Sequence, residues 1–199
     1  MLFRSLQRVG RAFYEAPGEA AFYGPKIDVQ FKTATGKDET LSTVQVDFHL
    51  PAQFELEYVS EDGGRARPIL VHRGVLSTLE RMVSLLIEEY EGAFPLWLAP
   101  TQAVVIPIAD RHVPYAQEVA AALKQRRLRV EVDIRSERMN AKIRDAQLRK
   151  VPYMLVVGDR EAEAWAAALR VRGGDLGAMP VDDIVAKLVR ERDTKALAP

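Results

Sequence analysis

Apolar and polar residues alternate with two different periods along this chain, and the change of period divides it. IDVQFKT (27–33) and TLSTVQVDFHL (40–50) alternate over strand lengths, with Gly36 and Lys37 between them as turn material, which predicts a hairpin. FELEYVS (54–60) predicts a third strand running into the turn residues EDGG (61–64), and PILVHRG (68–74) a fourth. LSTLERMVSLLIEEYEG (76–92) carries apolar residues at 76, 79, 82, 83, 86, 87 and 90, a helical stripe closed by Gly92. Successive antiparallel strands beside a helix predict an α+β layer.

Beyond residue 102 the pattern changes. AVVIPIAD (103–110) and VPYMLVVGD (151–159) are continuous apolar runs, as expected of strands buried on both faces, and LRVEVDI (128–134) predicts a further strand. Helices are predicted at 113–127, 137–150 and 181–192, the last opened by an acidic pair at the positive end of its dipole, and 165–174 alternates toward a turn. This alternation implies a mixed, mainly parallel sheet flanked by helices, with right-handed crossovers. The connecting stretch EYEGAFPLWLAPTQ (89–102) holds Pro95 and Pro100, which end a helix, and Trp97 and Leu98, which predict a packed connection. Two domains are therefore expected, 1–99 (α+β) and 100–199 (α/β).

Composition adds mainly exclusions. No apolar run approaches the roughly 18 residues that a membrane span requires. The opening MLFRSLQRVGRAF lacks an apolar signal core, so a cytoplasmic protein is expected. With no Cys, disulfides, thiolate zinc sites and Cys nucleophiles are excluded. The 28 Lys and Arg balance 28 Asp and Glu, so no net field attracts nucleic acid. Between Lys124 and Lys150, however, ten basic residues face four acidic ones. That stretch is either a solvated helix face or a patch that meets phosphates.

Several residues could carry chemistry. In AFYGPKID (21–28) a Gly24-Pro25 turn holds the Tyr23 phenol and the Lys26 ammonium at the start of a strand, as a plain turn or as part of a site. Gln45 and Asp47, two apart on one strand, share a face and could line a pocket. His72 in an apolar strand reads as a core histidine or a metal ligand, while His49 and His112 form no zinc spacing with it. Arg81 within the apolar helix must snorkel, pair or face a polar cleft. No Walker loop, GxGxxG or Ser–His–Asp order is present.

Taken in order, GEAAFYGPKID, STVQVDFHLP, HRGVLSTLER, PLWLAPTQ and the RVPYMLVVGDRE region closely resemble the C-terminal part of the threonyl-tRNA synthetases, from about residue 12 to about residue 190. The resemblance implies the end of a class II catalytic core over 1–99, containing that class's motif 3, and an anticodon-binding domain over 100–199. It implies ATP with Mg as cofactor, with Arg81 on the ATP phosphates and Lys26 and Gln45 beside it in catalysis. Tyr23 and Gln45 would line the threonine and ATP pocket, Ser77 and Thr78 would floor the adenylate site, and His72 would be one of three zinc ligands. In the second domain it implies that Glu161 and Arg170 read anticodon bases of tRNA(Thr). Ser136 and Arg138 stand where the family usually has Asn and Lys.

Some family features have no counterpart in this sequence. Motifs 1 and 2, the Cys and second His of the zinc site, and a glutamine at the place of Thr40 are not found. The expectation is a chain that is catalytically incomplete alone, holds no zinc by itself, and uses tRNA(Thr) rather than DNA or a membrane. A separate chain carrying the N-terminal half is one implied partner. The alternative is a stand-alone, non-catalytic tRNA-binding or accessory module.

Overall fold

The computed structural model describes residues 2–197, which fall into two compact units, one ending at Leu85 and the next beginning at Leu86. The elements in chain order are α1 (Leu2–Val9), β1 (Lys26–Lys32), β2 (Asp38–Asp47), α2 (His49–Gln53), β3 (Tyr58–Val59), β4 (Arg65–Ala66), β5 (Leu70–Gly74) and α3 (Leu79–Tyr90). They continue with β6 (Ala103–Pro107), α4 (Val113–Gln125), β7 (Val130–Val132), α5 (Met139–Leu148), β8 (Tyr153–Val157), α6 (Asp159–Glu163), β9 (Ala166–Val171), β10 (Gly174–Pro180) and α7 (Val181–Asp193). Among the described residues, no helix is long and apolar enough to cross a membrane.

In the first unit β1, β2 and β5 form an antiparallel sheet in that order, with the predicted hairpin between β1 and β2. Strand β2 stops at Asp47 because the Asp47 carboxylate accepts the N–H groups of His49 and Leu50, at 2.8 and 3.0 Å, and so starts α2. The expected strand at 54–60 is therefore reduced to Tyr58–Val59, paired only with β4. The amides of Phe54 and Leu56 are already bonded to the carbonyls of Leu50 and Pro51 at the end of α2. The turn at 60–64 is as expected, and β5 pairs with β2 rather than with its predecessor. Among the described residues of this unit only Asp47 and Pro51 are buried, and the apolar stripe of α3 stays exposed at Leu79 and Val83.

In the second unit the strand order is β10-β9-β8-β6-β7, with β6, β7 and β8 parallel. Strand β9 runs against them and β10 returns, so four of the five strands share a direction. All residues of β6 and β8 are buried. Helices α4 and α7 cover one face through Val119, Leu123, Ile184 and Leu188, and α5 covers the other through Ile143 and Ala146. Strand β10 lies outside the predicted pattern because it is an edge strand, mostly exposed and glycine-containing, with no apolar alternation to reveal it.

The segment between α3 and β6 is fastened down by buried polar groups. Fully buried Gln102 donates to the Leu96 carbonyl at 2.8 Å and accepts the Arg129 N–H at 2.9 Å. Arg129 caps the carbonyls of Ala99 and Trp97, and Arg172 those of Ala93 and Phe94. Gln102→Leu keeps the volume but orphans a buried donor and a buried acceptor, at about 1–3 kcal/mol each. It should therefore lower the stability of the second unit by about 2–4 kcal/mol. Urea unfolding followed by fluorescence reads this directly, since both tryptophans, Trp97 and Trp165, lie in that unit; a loss below about 1 kcal/mol contradicts it.

Candidate functional site

Strand register assembles a polar row in the first unit. Lys26 pairs with Gln45 across β1 and β2, and Gln45 pairs with His72 across β2 and β5, so the three side chains share one face. Tyr23 joins the row from the preceding turn, donating from its hydroxyl to Gln45 Oε1 at 2.7 Å. That turn requires glycine: a Cβ at Gly24 would lie 2.1 Å from the Val46 carbonyl oxygen, where the chain closes onto β2. The backbone then continues the pairing on either side, with Val46 N–H donating to Pro25 and Phe48 N–H to Tyr23, both at 3.0 Å.

Two carboxylates anchor this row. Lys26 Nζ donates to Asp28 Oδ2 at 2.6 Å, and this bond is the main reason its ammonium titrates above the ordinary lysine range. His72 Nε2 lies 2.9 Å from Asp47 Oδ2. Burial works against ionisation of Asp47, but His72 and the backbone amides of Leu50 and His49 together hold its carboxyl below the usual range. Asp47 shares its face with Gln45 through the two-residue spacing visible in the sequence. Asp28 has the same spacing from Lys26, a signal that sequence reasoning passed over.

The remaining expected residues of this unit lie apart from the row. The Arg81 guanidinium sits 3.8 Å from Glu39, six residues along β2 from Gln45, roughly 20 Å at strand spacing. The Thr78 hydroxyl accepts the Arg81 N–H at 3.4 Å, and the Thr78 carbonyl accepts the Met82 N–H, so this residue caps α3. Ser77, next to it, makes no side-chain hydrogen bond among the described residues.

Zinc does not fit the described residues by themselves. His72 is oriented by a carboxylate, as metal-binding imidazoles are, with Asp47 on Nε2 and the other ring nitrogen left over. A zinc site nevertheless takes at least three protein ligands, and no group of three His, Cys, Asp or Glu among the described residues could hold a metal.

The second unit offers a different surface. Loops 108–112, 133–138 and 158–163 follow the carboxyl ends of β6, β7 and β8, so the parallel strands deliver all three to one edge of the sheet. Ser136 and Arg138 stand exposed on the second loop and Glu161 is half-buried on the third, in α6. Glu161 Oε2 accepts the Gly158 N–H at 3.0 Å, and the Tyr115 hydroxyl donates to the Glu161 carbonyl at 3.1 Å, so the residue is held from both sides. Arg170 lies on β9 opposite Met154, three residues below that edge, with Nη1 2.6 Å from Asp175. Its Nε–H is out of water and without a partner among the described residues.

Loops 108–112 and 158–163 are tied together by residues the sequence did not single out for this edge. Asp159 receives Arg111 through two nitrogens, at 3.1 and 2.5 Å, and buried His112 at 2.8 Å. The Arg111 guanidinium first, and then His112, hold the Asp159 carboxyl well below the usual carboxylate range. His112 Nδ1 accepts the Ala109 N–H, which leaves Nε2 as the donor to Asp159. The only sequence signal was the ADRH run directly after a buried strand.

The basic stretch 124–150 resolves into two groups. Arg129, Arg135, Lys142, Arg149 and Lys150 are engaged by carbonyls or carboxylates of this unit. Lys124, Arg126, Arg127, Arg138 and Arg144 make no side-chain hydrogen bond or ion pair among the described residues. Lys124, Arg126 and Arg127 lie at the end of α4, on the opposite edge of the sheet from Arg138.

Comparison with known proteins gives these two units a family. Residues 2–90 match the family model described as tRNA synthetase class II core domain (G, H, P, S and T), and residues 102–191 match the anticodon binding domain model. The threonine–tRNA ligase of Geobacillus kaustophilus is 54% identical over 98% of this chain, which spans 31% of that protein. Threonine–tRNA ligase 1 of Bacillus subtilis is 54% identical over 96% of the chain, which spans 30% of it. A crystal structure of the RNA binding domain of threonyl-tRNA synthetase from Cryptosporidium parvum superposes with a TM-score of 0.84 at 36% identity, covering 95% of this chain and 48% of that one. The prolyl-tRNA synthetase of the same organism, at 20% identity and a TM-score of 0.69, shares the fold. Two family models in tandem, together with threonine–tRNA ligases identical at more than half of the aligned positions across almost the whole of this chain, show that it belongs to the threonyl-tRNA synthetases and corresponds to their C-terminal part.

Proposed function

We propose that this chain supplies one wall of the threonine- and ATP-binding site of a threonine–tRNA ligase, together with the surface that recognises the anticodon of tRNA(Thr). In this reading residues 1–99 belong to the end of the catalytic core and 100–199 to the anticodon-binding domain, acting in the cytoplasm. The observation that carries it is the loop edge of the second unit. Loops after three parallel strands present Ser136, Arg138 and Glu161 at one edge of the sheet, above an Arg170 whose Nε–H has no partner among the described residues. Unstacked loop bases offer the donors, acceptors and π-faces that a carboxylate and guanidinium groups can read. In the first unit the Tyr23–Gln45–Lys26 row suits a polar amino acid or nucleotide, with ATP and Mg in the intact site, and Arg81, apart from the row beside Glu39, is the cation offered to phosphate.

Binding and readout should separate in titrations of threonine and unrelated anticodon stem-loops at two salt concentrations. Glu161→Ala and Arg170→Ala are expected to narrow the preference for the threonine loop by about 1–3 kcal/mol per lost base contact, taking the scale from groove readout. Arg144→Ala should weaken both loops alike and reduce the salt slope by about one. Arg126→Ala and Arg127→Ala, on the opposite edge of the sheet, should leave both affinities within about two-fold. Equal losses for both loops in the Glu161 and Arg170 variants would leave only a basic patch.

Threonine-dependent pyrophosphate exchange tests the first unit. Reaction at the ATP α-phosphate needs cationic clamping from several sides, and each missing donor costs about 10²–10³-fold. Arg81, beside Glu39, supplies one such side, so the 199-residue chain alone should show no exchange above background. Rates of about 1–10³ per second would refute this. Restoration by a second polypeptide carrying the rest of a relative's core would support the ligase reading, whereas intact RNA binding without restoration would favour a stand-alone module.

With a single oriented imidazole, the same chain purified without chelator should hold less than one zinc in ten molecules by elemental analysis. One tightly held zinc per chain would overturn the reading of His72 as an isolated ligand.

A further inference from the structure

We propose that Lys142 is a positioning residue for RNA recognition, a buried cation that sets the loop carrying Ser136 and Arg138; the inference rests on the anticodon reading above. Lys142 is 4% exposed, and two physical effects disfavour its being there. Burial of an ammonium carries a large desolvation penalty. Its place in the first turns of α5 also sets it near the positive end of the helix dipole, with no acidic residue in the first turn to offset it. A methionine would fill much the same volume without either penalty. Packing alone therefore does not explain this lysine.

Its bonds do. Nζ donates to the carbonyl of Pro107 at 3.4 Å and to that of Asp133 at 3.1 Å. Pro107 ends β6, and Asp133 directly follows β7 and begins the 133–138 loop. A single ammonium thus joins two adjacent strand ends to the helix on the far side of the loop. The Asp133 carboxylate, largely buried and attracted by the Lys142 ammonium, ties the loop to Arg135. It accepts the Arg135 N–H at 3.2 Å and the Arg135 guanidinium at 2.9 and 2.6 Å, while Arg135 also reaches Asp145 at 2.8 Å. Held from beneath by Lys142 and from outside by Arg135, the loop keeps its three remaining polar side chains, Ser136, Glu137 and Arg138, exposed on a backbone tied at both ends. Base readout depends on such placement to within about half an ångström.

The test uses the full chain and the same two stem-loops, with amide hydrogen exchange alongside. Lys142→Met removes a buried charge but also the donor to two carbonyls, opposing effects that should leave the melting temperature little changed. It should also speed exchange across 134–138 several-fold and lower the preference for the threonine loop about ten-fold, with affinity for the unrelated loop unchanged. A purely structural lysine would instead affect both loops together, whatever the change in melting temperature. A folded Lys142→Met with unchanged preference and unchanged exchange overturns the proposal. If that variant does not fold, exchange in the parent chain decides: amides of 134–138 no better protected than those of the 172–174 turn overturn it, and clear protection supports it. Arg138→Ala is the control. Loss of preference there but not in Lys142→Met isolates the failure to Lys142, whereas no loss in Arg138→Ala overturns the anticodon assignment itself.

Discussion

The parallel pairing of β6 and β8, with every residue buried on both strands, is the constraint on which the second unit depends. Two such strands cannot face water on either side, so helices must cover both faces of the sheet. Parallel neighbours in turn require crossovers, and each crossover leaves its strand at the carboxyl end. The loops after β6 and β7 open two such crossovers and the loop after β8 turns into antiparallel β9, so all three stand at one edge, where Ser136, Arg138 and Glu161 lie. The recognition surface is a consequence of how the core is covered.

The first unit is organised by hydrogen bonding more than by burial. Asp47 is its one buried polar residue among those described, and it ends β2, starts α2 and orients His72 at the same time. With the register of β1 and β5 set on either side of β2, the Tyr23, Lys26, Gln45 and His72 side chains are aligned without any apolar core beneath them. The exposed apolar stripe of α3 contrasts with the fully covered core of the α/β unit. The two units thus hold their polar residues by different means: carboxylate anchoring in one, and a packed sheet edge in the other.

Charge along the chain was a poor guide to charge on the surface. The stretch 124–150 has six more basic than acidic residues, yet half of its cations are spent inside the unit. Arg129 holds the connecting segment, Arg135 and Lys142 hold a loop, and Arg149 pairs with Glu131 through one nitrogen at 3.0 and 2.8 Å. The cations that remain available are split between opposite edges of the sheet. What one-dimensional counting merges into a single patch is, in space, a set of structural fasteners and a few exposed guanidinium groups.

Periodicity alone determined the α+β and α/β halves, the β1–β2 hairpin, the two buried strands and the helices that cover them, because burial on one or both faces leaves a direct imprint on residue order. Motif resemblance determined the family, and with it the expected roles of Arg81, Gln45, His72, Glu161 and Arg170. Neither source could show that β5 pairs with β2, that β10 completes the sheet edge, or that 54–57 closes a short helix instead of a strand. Nor could they show which cations are already satisfied. Those features depend on pairings between residues far apart in the chain, and a hydrogen bond from Lys142 to Pro107 or from Arg111 to Asp159 has no local signature. It exists only once the sheet has brought the strand ends together.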